Sequence, residues 1–168
     1  MSKTAIALGC IAVALTATVA MSKTQGPVAV CPSISILADA TRLAVMESGQ
    51  VDFAAEIRSP ELDCTVAGST AKSSLSFWVK SAIAPTGNIA ERSVPYFVAV
   101  ISNGQVIEKK IFDLKLPFAS GERKILVKEN IARIDIPIAT GKQAEDYSVT
   151  IGFQLTPEQA TYNRTASR

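Results

Sequence analysis

Tyr96-Phe97-Val98-Ala99-Val100-Ile101-Ser102, then Asn103-Gly104, then Gln105-Val106-Ile107, is the stretch that decides the fold. An Asn-Gly pair between two apolar runs is the favoured two-residue hairpin loop, because both central residues need positive φ. That register sets Ser102 opposite Gln105 and Val100 opposite Ile107. The second arm continues through Phe112, Leu114, Leu116 and Phe118, alternating with Asp113, Lys115 and Pro117. Pro117 has no N–H to give a ladder, so the end of this arm belongs at a sheet edge.

The same period of two extends in both directions. Upstream, Val51, Phe53, Ala55 and Ile57 share one face of a half-buried strand, with charges mostly on the other. Ser59-Pro60-Glu61 reads as a turn, after which Leu62, Cys64 and Val66 face inward. Gly68 to Lys72 turns into Leu75, Phe77 and Val79, which alternate with Ser74, Ser76 and Trp78; Pro85-Thr86-Gly87-Asn88 reads as a loop. Downstream, Ser120-Gly121 leads into Ile125 to Lys128. Ile134, Ile136 and Ile138 then alternate with Arg133, Asp135 and Pro137. The last strand is the cleanest, with Tyr147, Val149, Ile151, Phe153 and Leu155 inward and Ser148, Thr150, Gly152 and Gln154 outward.

Helical signals are weak. Thr156-Pro157-Glu158-Gln159 has a cap and a first-turn Pro, enough for about one turn. Ala38 to Val45 is a second candidate, with Asp39 as its cap. Short strands separated by turn residues predict an all-β, two-sheet antiparallel β-sandwich, immunoglobulin-like in the broad sense. The specific immunoglobulin pattern does not fit: Trp78 follows Cys64, but the cysteine partner lies upstream at Cys31 rather than far downstream.

At the amino-terminal side, Ala5 to Met21 (AIALGCIAVALTATVAM) carries no charge and is flanked by Lys3 and Lys23. Its length lies near the lower limit of about 17–25 residues for a membrane span. Thr18-Val19-Ala20 supplies the small residues that precede a signal-peptidase cut. Two readings follow: a retained signal-anchor helix in a bacterial inner membrane with the domain on the periplasmic side, or cleavage near Ala20 and release to the periplasm. Cys10 offers lipidation as a third, although Ala7-Leu8-Gly9-Cys10 puts the bulky residue in the wrong place. The expected organisation is a leader over 1–21, a linker over 22–30, a sandwich over 31–157 and a short tail over 158–168.

Cys31 and Cys64 are the cysteines outside the apolar run, and in an oxidising compartment such a pair forms a disulfide. Closing a 33-residue loop stabilises the fold by about 3.7 kcal/mol in the chain-entropy model. With no histidine and three methionines, two of them in the leader, the chain lacks partners for a copper or zinc site. The formal net charge is +2, from 17 basic and 15 acidic residues, scattered and not clustered. That balance gives no electrostatic reason to expect nucleic acid or an acidic lipid surface.

The missing histidine also excludes a histidine-based catalytic triad. The carboxylates Asp39, Asp52, Glu56, Asp63, Asp113, Asp135 and Asp146 sit at outward strand positions or in turns, where a solvated role is expected. No glycine-rich phosphate loop is present; Gly121 and Gly141 stand alone in turns. No catalytic residue, metal or cofactor is therefore expected. Phe53, Phe77, Phe97, Phe112, Phe118, Tyr147 and Phe153 fall mostly on inward phases. Trp78 does not: it lies opposite to Phe77 in phase, which makes it a candidate contact residue, with Tyr162 a weaker second.

Three segments carry a resemblance. They are Cys31-Pro32 with Ile36-Leu37-Ala38-Asp39-Ala40 and Arg42-Leu43; Val94-Pro95-Tyr96-Phe97-Val98-Ala99-Val100; and Gly152-Phe153-Gln154-Leu155-Thr156-Pro157-Glu158-Gln159. Together they resemble a group of small uncharacterised proteobacterial envelope proteins often described as lipoproteins. The resemblance spans about residues 31 to 164 and rests on packing and turn motifs, so it implies location and fold and no activity. The expected function is a non-catalytic, membrane-tethered, periplasm-facing interaction or structural module, an accessory subunit of a membrane complex, bound to the membrane by its leader and to a protein partner. The alternative is a soluble periplasmic carrier holding a small apolar ligand between the sheets, in a cavity lined by residues such as Phe77, Val100 and Phe153.

Overall fold

The computed structural model describes residues 30–85 and 91–166, so the leader, most of the linker and the loop residues Thr86 to Asn88 lie outside the described residues. Within them, period-two alternation becomes two four-stranded sheets. Sheet A consists of β1 (Ser33–Ile36), β8 (Tyr147–Phe153), β5 (Glu91–Ser102) and β6 (Gln105–Pro117), in that spatial order. Sheet B consists of β2 (Arg42–Glu47), β3 (Gln50–Ala67), β4 (Thr70–Ile83) and β7 (Lys124–Pro137), in that order. The inward positions of both sheets meet in one core, in which Phe53, Phe77, Tyr96, Leu116, Ile136, Ile151 and Phe153 are almost fully buried. The sandwich is closed by edge-to-face contact between Phe77 and Tyr96, 5.2 Å between centroids, while within sheet A Tyr96 stacks on its β6 neighbour Phe112 at 5.3 Å.

The Asn103-Gly104 hairpin forms as its chemistry requires, with φ of 51° and 73° at the two loop residues. Ser102 faces Gln105, but Val100 pairs with Glu108 instead of Ile107. A one-residue register shift after Val100 leaves Ile107 as the extra residue, and the remaining arm keeps Phe112, Leu114 and Leu116 inward. β6 is an edge strand, consistent with Pro117 at its end.

Ser59-Pro60-Glu61 does not turn the chain. β3 runs unbroken from Gln50 to Ala67, and its register against β4 shifts between Arg58 and Glu61. Ser59 takes φ 48°, and proline cannot donate to the ladder, so the two residues bulge while both halves of β3 stay paired with β4. The segments around Ile125 and Ile134 likewise belong to one strand, β7, shifted against β4 between Ser73 and Leu75.

The expected helix over Ala38 to Val45 is a short 3-10 helix at Ala38–Ala40 followed by β2, and Leu37, not Asp39, holds the N-cap position. Leu43 and Val45 alternate into the core while Ala44 pairs with Ala54, so burial against β3 outweighs helix propensity. At the other end, the helix expected to last one turn runs from Pro157 to Ala166 as α1. Its start is a reciprocal cap: the Gln159 backbone N–H donates to Thr156 Oγ1 and the Thr156 N–H donates to Gln159 Oε1.

The sheets are not wholly antiparallel, because β1 lies parallel to β8, Ser33 facing Ser148 and Ile36 facing Ile151. Parallel neighbours need a long connection, and here nearly the whole domain supplies it. Phe97 is also not a core residue of the sandwich interior. It lies on the outer face of sheet A, buried with Ala99 beneath Ala40 and Leu155. The cover is tight at Gly152, where a Cβ atom would come within 2.7 Å of Ala40 Cβ and 3.0 Å of the Phe97 ring. Cys31 is bonded to Cys64, with the Cα atoms 5.7 Å apart, fastening the entry segment to the half of β3 that β2 does not reach.

Candidate functional site

Outward positions of sheet B line up in rows across the strands. Arg58, Trp78 and Lys128 form one row; Arg42, Glu56, Lys80 and Leu126 the next; Ala44, Ala54, Ala82 and Lys124 the third. Successive rows are about 7 Å apart, two residues of extended chain. Trp78 is 38% exposed, and the Lys128 ammonium lies 5.8 Å from its ring centroid. Leu126, on the edge strand, is 58% exposed.

The third row is a floor of small side chains, and α1 rises beside it. The result is a groove of about 630 Å³ lined by Ala44, Ala54, Ala82, Val51, Lys80 and Tyr162 among others. Asn163 fixes the helix wall: its Nδ2 donates to the carbonyls of Asp39 and Arg42, at 2.9 and 2.7 Å. That side chain is almost fully buried, so Asn163 holds the helix against the 3-10 helix and β2. The two contact residues predicted from sequence, Trp78 and Tyr162, thus come together on one outer face. Trp78 stands at one end of the three rows and Tyr162 borders the groove at the other.

Over these three rows basic charge predominates. Arg42, Arg58, Lys80, Lys124 and Lys128 project from them, against Glu56, which lies 3.7 Å from Arg42 and 3.6 Å from Arg58; beyond them the same face turns mixed, with Glu61 beside Ser76 and Asp135 beside Lys72. The outer face of sheet A differs. There Lys109 and Lys115 alternate with Asp113, Lys115 lies 3.9 Å from Glu91, and Lys109 is drawn over Phe97 while donating to Gln154. Sequence reading missed the basic cluster because its members come from four different strands, each looking like an ordinary solvated charge.

Carboxylates are placed for structure. Asp52 accepts from Arg92 at 3.2 Å, both half-buried, and the same guanidinium lies 4.7 Å from the Phe53 ring. Asp135 accepts from Arg133, whose hydrogen bond, with the charges of Arg133, Lys72 and Lys110, holds its carboxyl below the usual range. Lys110 pairs with Glu108 at 2.8 Å along β6, so charged side chains line both the β6 and the β7 edge where the sheets meet. Glu129, not singled out from sequence, sits at an inward position of β7 and accepts a 3.0 Å hydrogen bond from Tyr96 Oη. Burial first, then the Glu129 charge and hydrogen bond, push the Tyr96 hydroxyl well above its ordinary pKa. The inward phase of Ile125, Val127 and Ile131 was the available signal for Glu129.

Among the described residues, no group of three or more His, Cys, Asp or Glu is placed to hold a metal ion, and no helix is long and apolar enough to cross a membrane. Phe77, Val100 and Phe153 pack in the core and do not line the groove. A space of about 20 Å³ beside Val98, Val100 and Phe112 is roughly the size that one water occupies. Comparison with protein-family models, with curated proteins and with solved structures finds no match to this chain.

Proposed function

We propose that this protein is a non-catalytic interaction module, tethered to a bacterial inner membrane by its 1–21 leader, that works on the periplasmic side through the outer face of sheet B. One observation carries the reading: Trp78 and Tyr162 share a face with a groove of about 630 Å³. Aromatic anchors beside a concave surface are what recognition sites use. The Cys31–Cys64 bond supports an oxidising compartment, and the apolar run at 5–21 supports the tether. The resemblance to proteobacterial envelope proteins agrees with that location. In this reading the groove end takes a segment of a protein partner, and the chain is an accessory subunit. The alternative carrier reading needs a cavity between the sheets, and Phe77, Val100 and Phe153 are 0%, 2% and 1% exposed in a filled core.

Photo-crosslinking residues incorporated in place of Val51 and of Tyr162, both on the groove, and, as a control on sheet A, of Ile111 test this in intact cells. The same protein adduct is expected from the first two positions and none from the third. No protein adduct from either groove position, or an adduct from Ile111 alone, would refute the reading.

A further inference from the structure

We propose that the β4–β7 half of this face seats on an anionic lipid surface, with Trp78 at headgroup level and Lys80, Lys124 and Lys128 over the phosphates. The inference rests on the tethered reading above and adds the chemistry of what lies beneath one half of the face.

Charge complementarity is the first argument. Outward positions of β7 read Lys124, Leu126 and Lys128, and their β4 partners are Ala82, Lys80 and Trp78; no acid stands among these six. Glu56 is one strand further in, between Arg42 and Arg58. The described residues as a whole are not basic, so three lysines with no acid among these six positions are a local concentration, unlike the mixed outer face of sheet A.

Side-chain chemistry is the second. Lysine and arginine reach phosphates while their stems cover apolar surface. An exposed tryptophan fits the interfacial layer, where one end of the ring is dry and the other wet. Leu126, exposed on the same row as Lys80, gains an apolar neighbour there. Each basic residue near an anionic bilayer raises association about fivefold, so three give roughly a hundredfold. That alone is weak binding, and it becomes occupancy only when a tether holds the domain at high effective concentration. The groove is lined mainly from β2, β3 and α1 and meets β4 at Lys80 and Ala82, so a seated β4–β7 half leaves it at the rim, open to a protein partner.

Trp78 is the chain's single tryptophan, which makes the surface self-reporting. The full chain is reconstituted in vesicles of phosphatidylcholine alone and of phosphatidylcholine mixed with phosphatidylglycerol. Flotation is measured first, then acrylamide quenching of Trp78. Flotation with both vesicle types shows the tether independently of the face. The expected result is quenching reduced in the phosphatidylglycerol vesicles only, and restored in about 1 M salt, where the Debye length is near 3 Å. Lys124→Gln with Lys128→Gln, each state referenced to the same variant in neutral vesicles, should cut the docked population about fivefold per cation removed. Far-UV circular dichroism checks the fold of the variant.

Equal quenching in both vesicle types, or protection indifferent to salt and to the double substitution, would overturn the inference while leaving the tether standing. Protection by added polyglutamate in neutral vesicles, without any by phosphatidylglycerol, would also overturn it and assign the face to an acidic polypeptide. Failure to float with either vesicle type would instead sink the tethered reading on which it rests.

Discussion

At the scale of single residues, two sites show how packing and polarity are balanced. Gly152 sits where the 3-10 helix presses on β8, and a methyl group there would overlap Ala40 Cβ at 2.7 Å. Gly152→Ala should destabilise the fold by about 1–3 kcal/mol through overpacking. Ala40→Gly in the same chain should restore much of the loss, as a urea-denaturation double-mutant cycle would measure. Additive losses would mean that the close approach is not the cause.

Tyr96 makes a second prediction, with its sign set by linkage. The folded state holds the hydroxyl proton above its ordinary pKa, so its contribution to stability is complete below about pH 10, the unfolded value, and declines as pH rises beyond it. Tyr96→Phe should cost about 1–3 kcal/mol at neutral pH by leaving Glu129 without its donor. The gap between the two proteins should narrow as urea midpoints are followed from pH 8 to 11. A gap constant across that range would contradict the buried tyrosine–glutamate pair as the source.

At the scale of elements, the disulfide matters because of where it ties the chain. β1 is four residues long and parallel to β8, while β2 covers only the first half of β3. Cys31–Cys64 fastens the entry segment to the uncovered half. Cys31→Ser with Cys64→Ser should remove about 3–4 kcal/mol by the loop-entropy estimate. Hydrogen exchange should show β1 and the Cys64 end of β3 losing protection first, while β4 and β5 keep theirs. Uniform loss across both sheets would show that the bond guards the whole fold and not this corner.

Elements also show what could be read in advance. Strands such as Tyr147–Phe153 were legible because every second residue is apolar, and the Asn103-Gly104 loop because its backbone chemistry admits few alternatives. The failures share one cause. Ser59-Pro60, the shift after Val100 and the shift in β7 are bulges, which look in sequence like turns or like nothing, since pairing with a distant strand decides between them. β2 was missed because Ala38 to Val45 has helix-forming composition, and only burial against β3 overrules it. Cys31–Cys64 was legible from counting alone. On the outer face of sheet B, Trp78 stood out by phase and Tyr162 more weakly, but the alanine floor and the basic rows exist only once four strands are side by side.

At the scale of the whole molecule, the account joins a cross-linked sandwich to an apolar leader and gives one face the work. The most direct test of that claim is the intact mass of the protein from the alkali-washed membrane fraction of its own cells, taken after alkylation without reduction. The chain has three cysteines. The account predicts a full-length chain with its leader retained, carrying one alkyl group on Cys10 and none on Cys31 or Cys64. A soluble protein carrying three alkyl groups, or a chain beginning after Ala20 and free of the membrane, would contradict it.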